Sequence, residues 1–487
     1  VLAQRLFVTT TGLAAGHLNQ IKRLAAFQNP EFYKKQSLRL STALTPRVVA
    51  CAEDLPEHVV LPRGCRTELE QMLRECGSVL HVEDQRHEGT SLNVSFKGQL
   101  TAIQKKAARA LLREDIGVLV APPGVGKTVI GTYLIAARCR STLVLVHRQP
   151  LLDQWIAQLS MFLGLPPKAI GQIGAGKHSP TGWLDVAMIQ SLVRSGCVDD
   201  MVTRYGHVIV DECHHIPAVS FERVLSEVRA RFLAGLTATP RRRDGLHPIT
   251  EMQLGPVRFA VEARSRAARQ PFDHRLIVRE TGFGRDRAVS VDRIQSLYAA
   301  LATDEQRNHL ILKDIEAALA EGRSPIVLTE RKDHLEYLAA RLHGVARHLV
   351  VLRGGMTPTE RRTAATTLAS SPHHESRLVV ATGRYIGEGF DDARLDTLFL
   401  SRPVSWKGTL VQYTGRLHRL RPGKTEVRIY DYVDHEVPML VRMFDKRLRG
   451  YRAIGYTRSS TPIASGKLDD QVAAGHGDHL EPGDATT

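Results

Sequence analysis

The sequence has few of the features that staple or anchor a chain. Its six cysteines (Cys51, Cys65, Cys76, Cys139, Cys197 and Cys213) are scattered over 487 residues, and no two stand in a C-x-x-C spacing. That excludes a disulfide framework and a zinc ribbon and points to the reducing cytoplasm. No apolar run approaches the roughly 18 to 20 residues that span a bilayer, so no membrane is expected among the partners. The opening "VLAQRLFVTTTG" lacks the order of a secretion signal, and Val1 in place of methionine suggests a fragment or an alternative start. No repeat recurs at solenoid periods. Acidic residues are in deficit: 51 Asp and Glu stand against 66 Lys and Arg, a formal charge of +15. Such a balance favours a polyanionic partner such as nucleic acid, with a merely soluble basic surface as the bland alternative.

What is present is an α/β rhythm. A hydrophobic fraction of 43% and a charged fraction of 24% are ordinary for a globular protein, and the length asks for two cores with appendages. From Gly117 onward the runs "GVLVA", "TLVLVH", "DVAMIQ", "HVIVDE" and "FLAGLTAT" alternate with amphipathic stretches such as "LLDQWIAQLSMFL". A second set follows: "PIVLTE", "HLVVLRG", "RLVVAT", "LDTLFLS" and "VRIYDYVD". Parallel strands buried on both faces read this way. The expected fold class is α/β, with two doubly wound parallel-sheet lobes at 96–262 and 293–456. The basic, weakly periodic segment 263–292 is expected to be a linker or insertion, and 457–487 a disordered tail. Residues 1–95 form an accessory α+β region, in which "TGLAAGHLNQIKRLAAFQ" reads helical and "VLHVEDQRHEGTSLNVSF" reads as two strands around a turn.

The chemistry starts at "APPGVGKT", an A-x-x-x-x-G-K-T pattern between a strand and a helix. In the loop Pro123-Gly124-Val125-Gly126 the two glycines let consecutive N–H groups turn toward phosphate oxygens at a helix N-terminus. Lys127 then reaches the β- and γ-phosphates and the Thr128 hydroxyl can ligate Mg²⁺. The strand "HVIVDE" places Asp211 to hold Mg²⁺ through water and Glu212 to activate the attacking water. The run Asp211-Glu212-Cys213-His214-His215 also contains only metal-ligating residue types, but side chains leaving a strand alternate in direction, and zinc needs about four well-spaced ligands. In "LVQYTGRLHR", Gln412, Arg416 and Arg419 stand four and three residues apart, a spacing that puts them on one helix face. Arginine from a second lobe suits the charge of a phosphoryl-transfer transition state; a solvated helix face is the alternative.

Nine segments from about Leu100 to Tyr456, among them "LTAIQKKA", "APPGVGKT", "LVHRQPLLDQW", "MIQSL", "VDECHHIPA", "GLTATPRRRDG" and "QYTGRLHR", stand in the order found in superfamily 2 helicases of the DEAD/DEAH type. The chain resembles that superfamily, and within it the XPB-type branch. The resemblance implies two RecA-like lobes, hydrolysis of ATP with Mg²⁺, and DNA as the track. It implies that Gln104 reads adenine and that Gly389 and Asp391 meet the nucleotide from the second lobe. It further implies that Thr237, Thr239 and His214 couple the nucleotide site to the nucleic-acid site, and that Arg148 and Gln190 face the nucleic-acid backbone. Arg384 departs from the pattern, in a place expected to be small or polar, and the XPB-type thumb is not identified. Residues 17–65 resemble the segment before the helicase in TOTE-type conflict proteins, which carry a primase-like domain.

Other readings compete with DNA translocation. A restriction-type motor would need a nuclease in this chain or a partner; the triplet Glu330-Arg331-Lys332 lacks an upstream Asp and coincides with a helicase segment. An RNA track is a further alternative. A scaffold that binds nucleic acid without hydrolysis has no need of Lys127, Glu212 and Arg416 together.

Overall fold

The structure, a computed structural model, describes residues 1–78, 80–214, 218–239, 242, 244–262, 271–284, 294–372, 374–383, 392–404 and 407–459. The first lobe is built on an eight-stranded sheet in the order Val257–Ala260, Ile116–Val120, Phe232–Thr237, His207–Asp211, Thr142–Val146, Leu184–Met188, Gly171–Gly174, Lys177–Ser179. All pairings are parallel except that of the last strand. The run Leu143-Val144-Leu145-Val146 is buried throughout because helices cover both faces. On one face Ile130, Leu134, Trp155 and Leu159 pack from the helices Lys127–Arg138 and Gln149–Leu163. On the other, Phe221, Val224, Ile249 and Leu254 pack from Ala218–Leu225 and His247–Leu254.

The second lobe carries a seven-stranded sheet, wholly parallel, in the order His348–Leu352, Arg377–Thr382, Pro325–Thr329, Thr397–Leu400, Glu426–Val433, Asp273–Glu280, Thr457–Arg458. Helices Glu305–Ala320 and Lys332–Arg341 cover one face; Lys407–Gly415 and Pro438–Ala453 cover the other. The segment expected as a linker therefore supplies an integral strand. In "DHRLIVRE" only Leu276, Ile277 and Val278 are apolar, and charged or polar residues flank them on both sides where the strand lies beside a neighbour only two residues long, so the short apolar run hid it. Thr457 and Arg458, expected to begin the tail, form that neighbour. The rest of the expected tail, from 460, lies outside the described residues.

Ahead of the lobes, the helices Ala15–Leu24 and Arg66–Glu75 pack Ile21, Leu69 and Leu73 against Val59 and Leu61 of a small antiparallel sheet. This region is docked on the first lobe: the buried Arg63 Nη1 donates to the Ala230 carbonyl at 2.6 Å, and Gly64 sits against the backbone of Glu251 and Met252. The two strands expected within 79–96 do not form. Isolated bridges instead join His87 to Ala230 and Ser91 to Arg140, while Arg86 Nη2 donates to Asp115 at 2.8 Å. Of the polar residues that broke the alternation, Arg86 pairs with Asp115 and Glu88 with Arg140 and Arg231 of the first lobe, and Leu92 is buried in that lobe's core. Among the described residues no helix is long and apolar enough to cross a membrane.

Candidate active site

The strand Ile116–Val120 runs into a loop where Gly124 and Gly126 take φ of +83° and +85°, values that favour residues without a Cβ. Gly126 caps the helix Lys127–Arg138, so free N–H groups and the positive end of the helix dipole converge on the loop. The Lys127 ammonium, 9% exposed, donates to the Ala121 carbonyl at 3.2 Å and pairs with Glu212 Oε1 at 3.0 Å. Gln104 is engaged on both sides. Its Oε1 accepts from the Thr101 N–H at 2.8 Å in a capping box, and its Nε2 donates to the Val125 carbonyl at 2.8 Å. It braces the phosphate loop from behind.

Of the five adjacent metal-ligating residue types, the four described ones diverge. Asp211 ends the strand His207–Asp211; its Oδ2 accepts from the Trp155 indole N–H at 2.8 Å and its Oδ1 from the Glu212 backbone N–H at 2.9 Å. Burial, with the Glu212 carboxylate beside it, pushes the Asp211 carboxyl up to about 6. Glu212 turns through a left-handed backbone, φ +47°, an uncommon conformation for a residue with a side chain. That turn aims it at Lys127. Cys213 points into the core, where burial pushes its thiol up to about 12 and disfavours the thiolate that would bind a metal. His214 Nδ1 lies 2.6 Å from Thr237 Oγ1 and 3.4 Å from Glu212 Oε2. The single Thr237 proton is donated to the Thr239 carbonyl at 2.8 Å, which assigns a hydrogen to His214 Nδ1. His215 lies outside the described residues.

The second lobe completes the cleft. Gln412, Arg416 and Arg419 line it together with Pro123, Gly124, Gly126, Lys127, Thr128, Asp211 and Glu212. The expectation that all three lie on one helix is corrected. The helix ends at Gly415, and its last turn tightens into bonds from Arg416 N–H to Tyr413 O and from Leu417 N–H to Thr414 O. Arg416 and Arg419 therefore stand on a turn beyond it. Gly389, Asp391 and Arg384 lie outside the described residues.

Arg148 and Gln190 are exposed and sit after the neighbouring strands Thr142–Val146 and Leu184–Met188, tied by a 3.1 Å bond from Gln190 Nε2 to the His147 carbonyl. Sequence reasoning missed three residues here. Gln154 and Gln158 line the cleft one helical turn apart, and Trp155 between them holds Asp211. Two glutamines four apart, on one face of a helix that otherwise packs Leu151, Leu152, Trp155 and Leu159 into the core, were the available signal.

Residues 97–242 match the family described as "Type III restriction enzyme, res subunit". Among curated relatives, "DNA 3'-5' translocase XPB2" of Sulfurisphaera tokodaii is 25% identical over 216 residues, covering 44% of this chain and 44% of that one. "Putative helicase 161L" of Invertebrate iridescent virus 6 is 26% identical over 385 residues, covering 76% of this chain and 84% of that one. Among solved structures, "ATP-dependent Type ISP restriction-modification enzyme LlaBIII bound to DNA" shares the fold with a TM-score of 0.55 at 17% identity, covering 73% of this chain and 30% of that one. The chain thus spans less than half of the translocase relative and most of the viral one. In sequence over the first lobe and in fold over both, it is similar to the superfamily 2 helicases.

Proposed function

We propose that the chain is an ATP-dependent DNA helicase or translocase of the XPB-type branch. One observation carries the reading: Gln412, Arg416 and Arg419 of the second lobe and Lys127, Asp211 and Glu212 of the first line a single cleft. The triphosphate sits on the N–H groups of the 123–126 loop, with Lys127 on its β- and γ-oxygens. Thr128 and Asp211 offer hard oxygen donors on the same cleft, a set that fits Mg²⁺, which when bound neutralises charge on the phosphates. Lys127 pairs with Glu212. A triphosphate competes for that ammonium and frees the carboxylate to take a proton from the attacking water. Arg416 and Arg419 stabilise the charge that develops on the transferred phosphoryl group.

Movement follows from the same layout, since ATP bridges the lobes and its loss lets them part. The contacts from Glu212 through His214 to Thr237 and Thr239 link the base to the segment leaving the first sheet. Arg148 and Gln190, exposed at the same end of that sheet, are assigned to the DNA backbone. The XPB-named relative and the charge of +15 support DNA.

The test is ATP hydrolysis by the full chain with duplex DNA, single-stranded DNA and RNA in parallel. Stimulation by DNA supports the reading; equal hydrolysis without nucleic acid, or stimulation by RNA alone, defeats it. The family matched by 97–242 favours a second reading, a motor subunit of a restriction system working with a nuclease partner. Isolation of such a partner bound to the chain would separate it from a lone translocase.

A further inference from the structure

The turn after the helix Lys407–Gly415 faces two ways. Arg416 and Arg419 line the cleft, whereas Leu417 is buried in the core of the second lobe. His418 stacks on Tyr456, with Nε2 3.0 Å from the phenol oxygen, and His274 stands edge-on to it at 4.8 Å. Because the turn lies past the last helical residue, no helical ladder fixes its carbonyls.

Those carbonyls share a donor. Lys424 Nζ donates to the carbonyl oxygens of Arg419 at 2.9 Å, Leu417 at 3.1 Å and Leu395 at 2.8 Å. An ammonium has three N–H groups, so these bonds use all of them. Two of the acceptors belong to the arginine turn, and the third, Leu395, lies just before the strand Thr397–Leu400. One side chain therefore ties the turn to the sheet.

We propose that Lys424 is a positioning residue for Arg416 and Arg419, holding their turn so that both guanidinium groups enter the phosphate cleft. The inference rests on the roles proposed above for the two arginines. Displacing a catalytic group by about 1 Å can cost on the order of a hundredfold in rate, and a turn bonded through the Arg419 carbonyl transmits its movement directly to that residue. Burial pushes the Lys424 ammonium down to about 8, with Asp396 and Asp392 opposing the shift and Arg421 and Arg323 adding to it. Below that pH all three donors are present. Above it the neutral amine keeps two, one carbonyl loses its partner, and the turn loosens.

The experiment measures DNA-stimulated ATP hydrolysis by the full chain over ATP concentration, from about pH 7 to about 9.5, across the range where the lysine titrates. Lys424→Met is expected to lower kcat about tenfold and to leave KM within about twofold, the split of a contact made in the transition state. Wild-type kcat should fall above about pH 8, while Lys424→Arg, which stays charged, should not show that fall. If Lys424→Met does not fold, the two pH profiles decide. A folded Lys424→Met with wild-type kcat overturns the proposal, and so do parallel profiles. Arg416→Ala runs beside them. Unchanged kcat in that variant overturns the role of the arginines, whereas a loss there beside a normal Lys424→Met overturns only the role of Lys424.

Discussion

Gly415 of the second lobe lies against Pro123 of the phosphate loop so closely that a Cβ at 415 would stand 2.6 Å from the proline Cβ and 2.9 Å from its Cγ. The lobes therefore touch, one residue before Arg416, at a point with no room for a side chain. Gly415→Val is expected to wedge them apart and cut kcat at least on the order of tenfold, because the arginines then miss the phosphates. Hydrolysis rates beside thermal melting check this; wild-type turnover would show that the contact is dispensable.

Lys127→Ala is expected to abolish DNA-stimulated hydrolysis, since it removes the cation assigned to the phosphates and paired with Glu212. Glu212→Gln should still bind nucleotide but turn over on the order of a hundredfold more slowly, the scale of a lost general base. Binding of a fluorescent nucleotide together with single-turnover hydrolysis separates the two. A Glu212→Gln protein with ordinary turnover would move the base elsewhere.

Trp155→Phe keeps most of the buried ring and deletes the one N–H that satisfies Asp211 Oδ2. Leaving a buried acceptor unpaired costs roughly 1–3 kcal/mol, to be read from urea unfolding. The freed carboxylate should also change the Mg²⁺ concentration needed for nucleotide binding. An unaltered unfolding midpoint would mean that the indole bond contributes nothing.

A chain beginning at residue 94 loses Leu92 from the first lobe's core and the Arg86–Asp115 pair, so it should melt lower or aggregate more than one beginning at residue 83. The single change Leu92→Ala should cost about 2–5 kcal/mol, the range for emptying a buried leucine site. Equal melting of the two truncated chains would show that 83–93 is a passive connector.

Both lobes were legible because each buried strand is a short, continuous apolar run, and the phosphate loop because its glycines and lysine have fixed spacing. The Asp273–Glu280 strand was not, since its apolar run is only Leu276-Ile277-Val278 between charged and polar residues, which a solvated linker can imitate. The arginine turn was misread as helix because spacings of four and three fit a helix as well as a tight turn after one; the bond from Arg416 N–H to Tyr413 O distinguishes them only in three dimensions. Trp155 was invisible for another reason. An apolar residue on a core-facing helix gives no sign that its one polar atom reaches a carboxylate 56 residues away.

The strand that opens the second lobe, Asp273–Glu280, and the strand that follows its last helix, Thr457–Arg458, run side by side, with Arg275 opposite Thr457. Entry to the lobe and exit from it thus share one sheet edge, as in a loop whose ends have been brought together. A domain fused after residue 459 would begin about 4.8 Å, one strand spacing, from the middle of Asp273–Glu280. Cargo attached there would lie along the edge of this sheet, beside the strand that opens the second lobe.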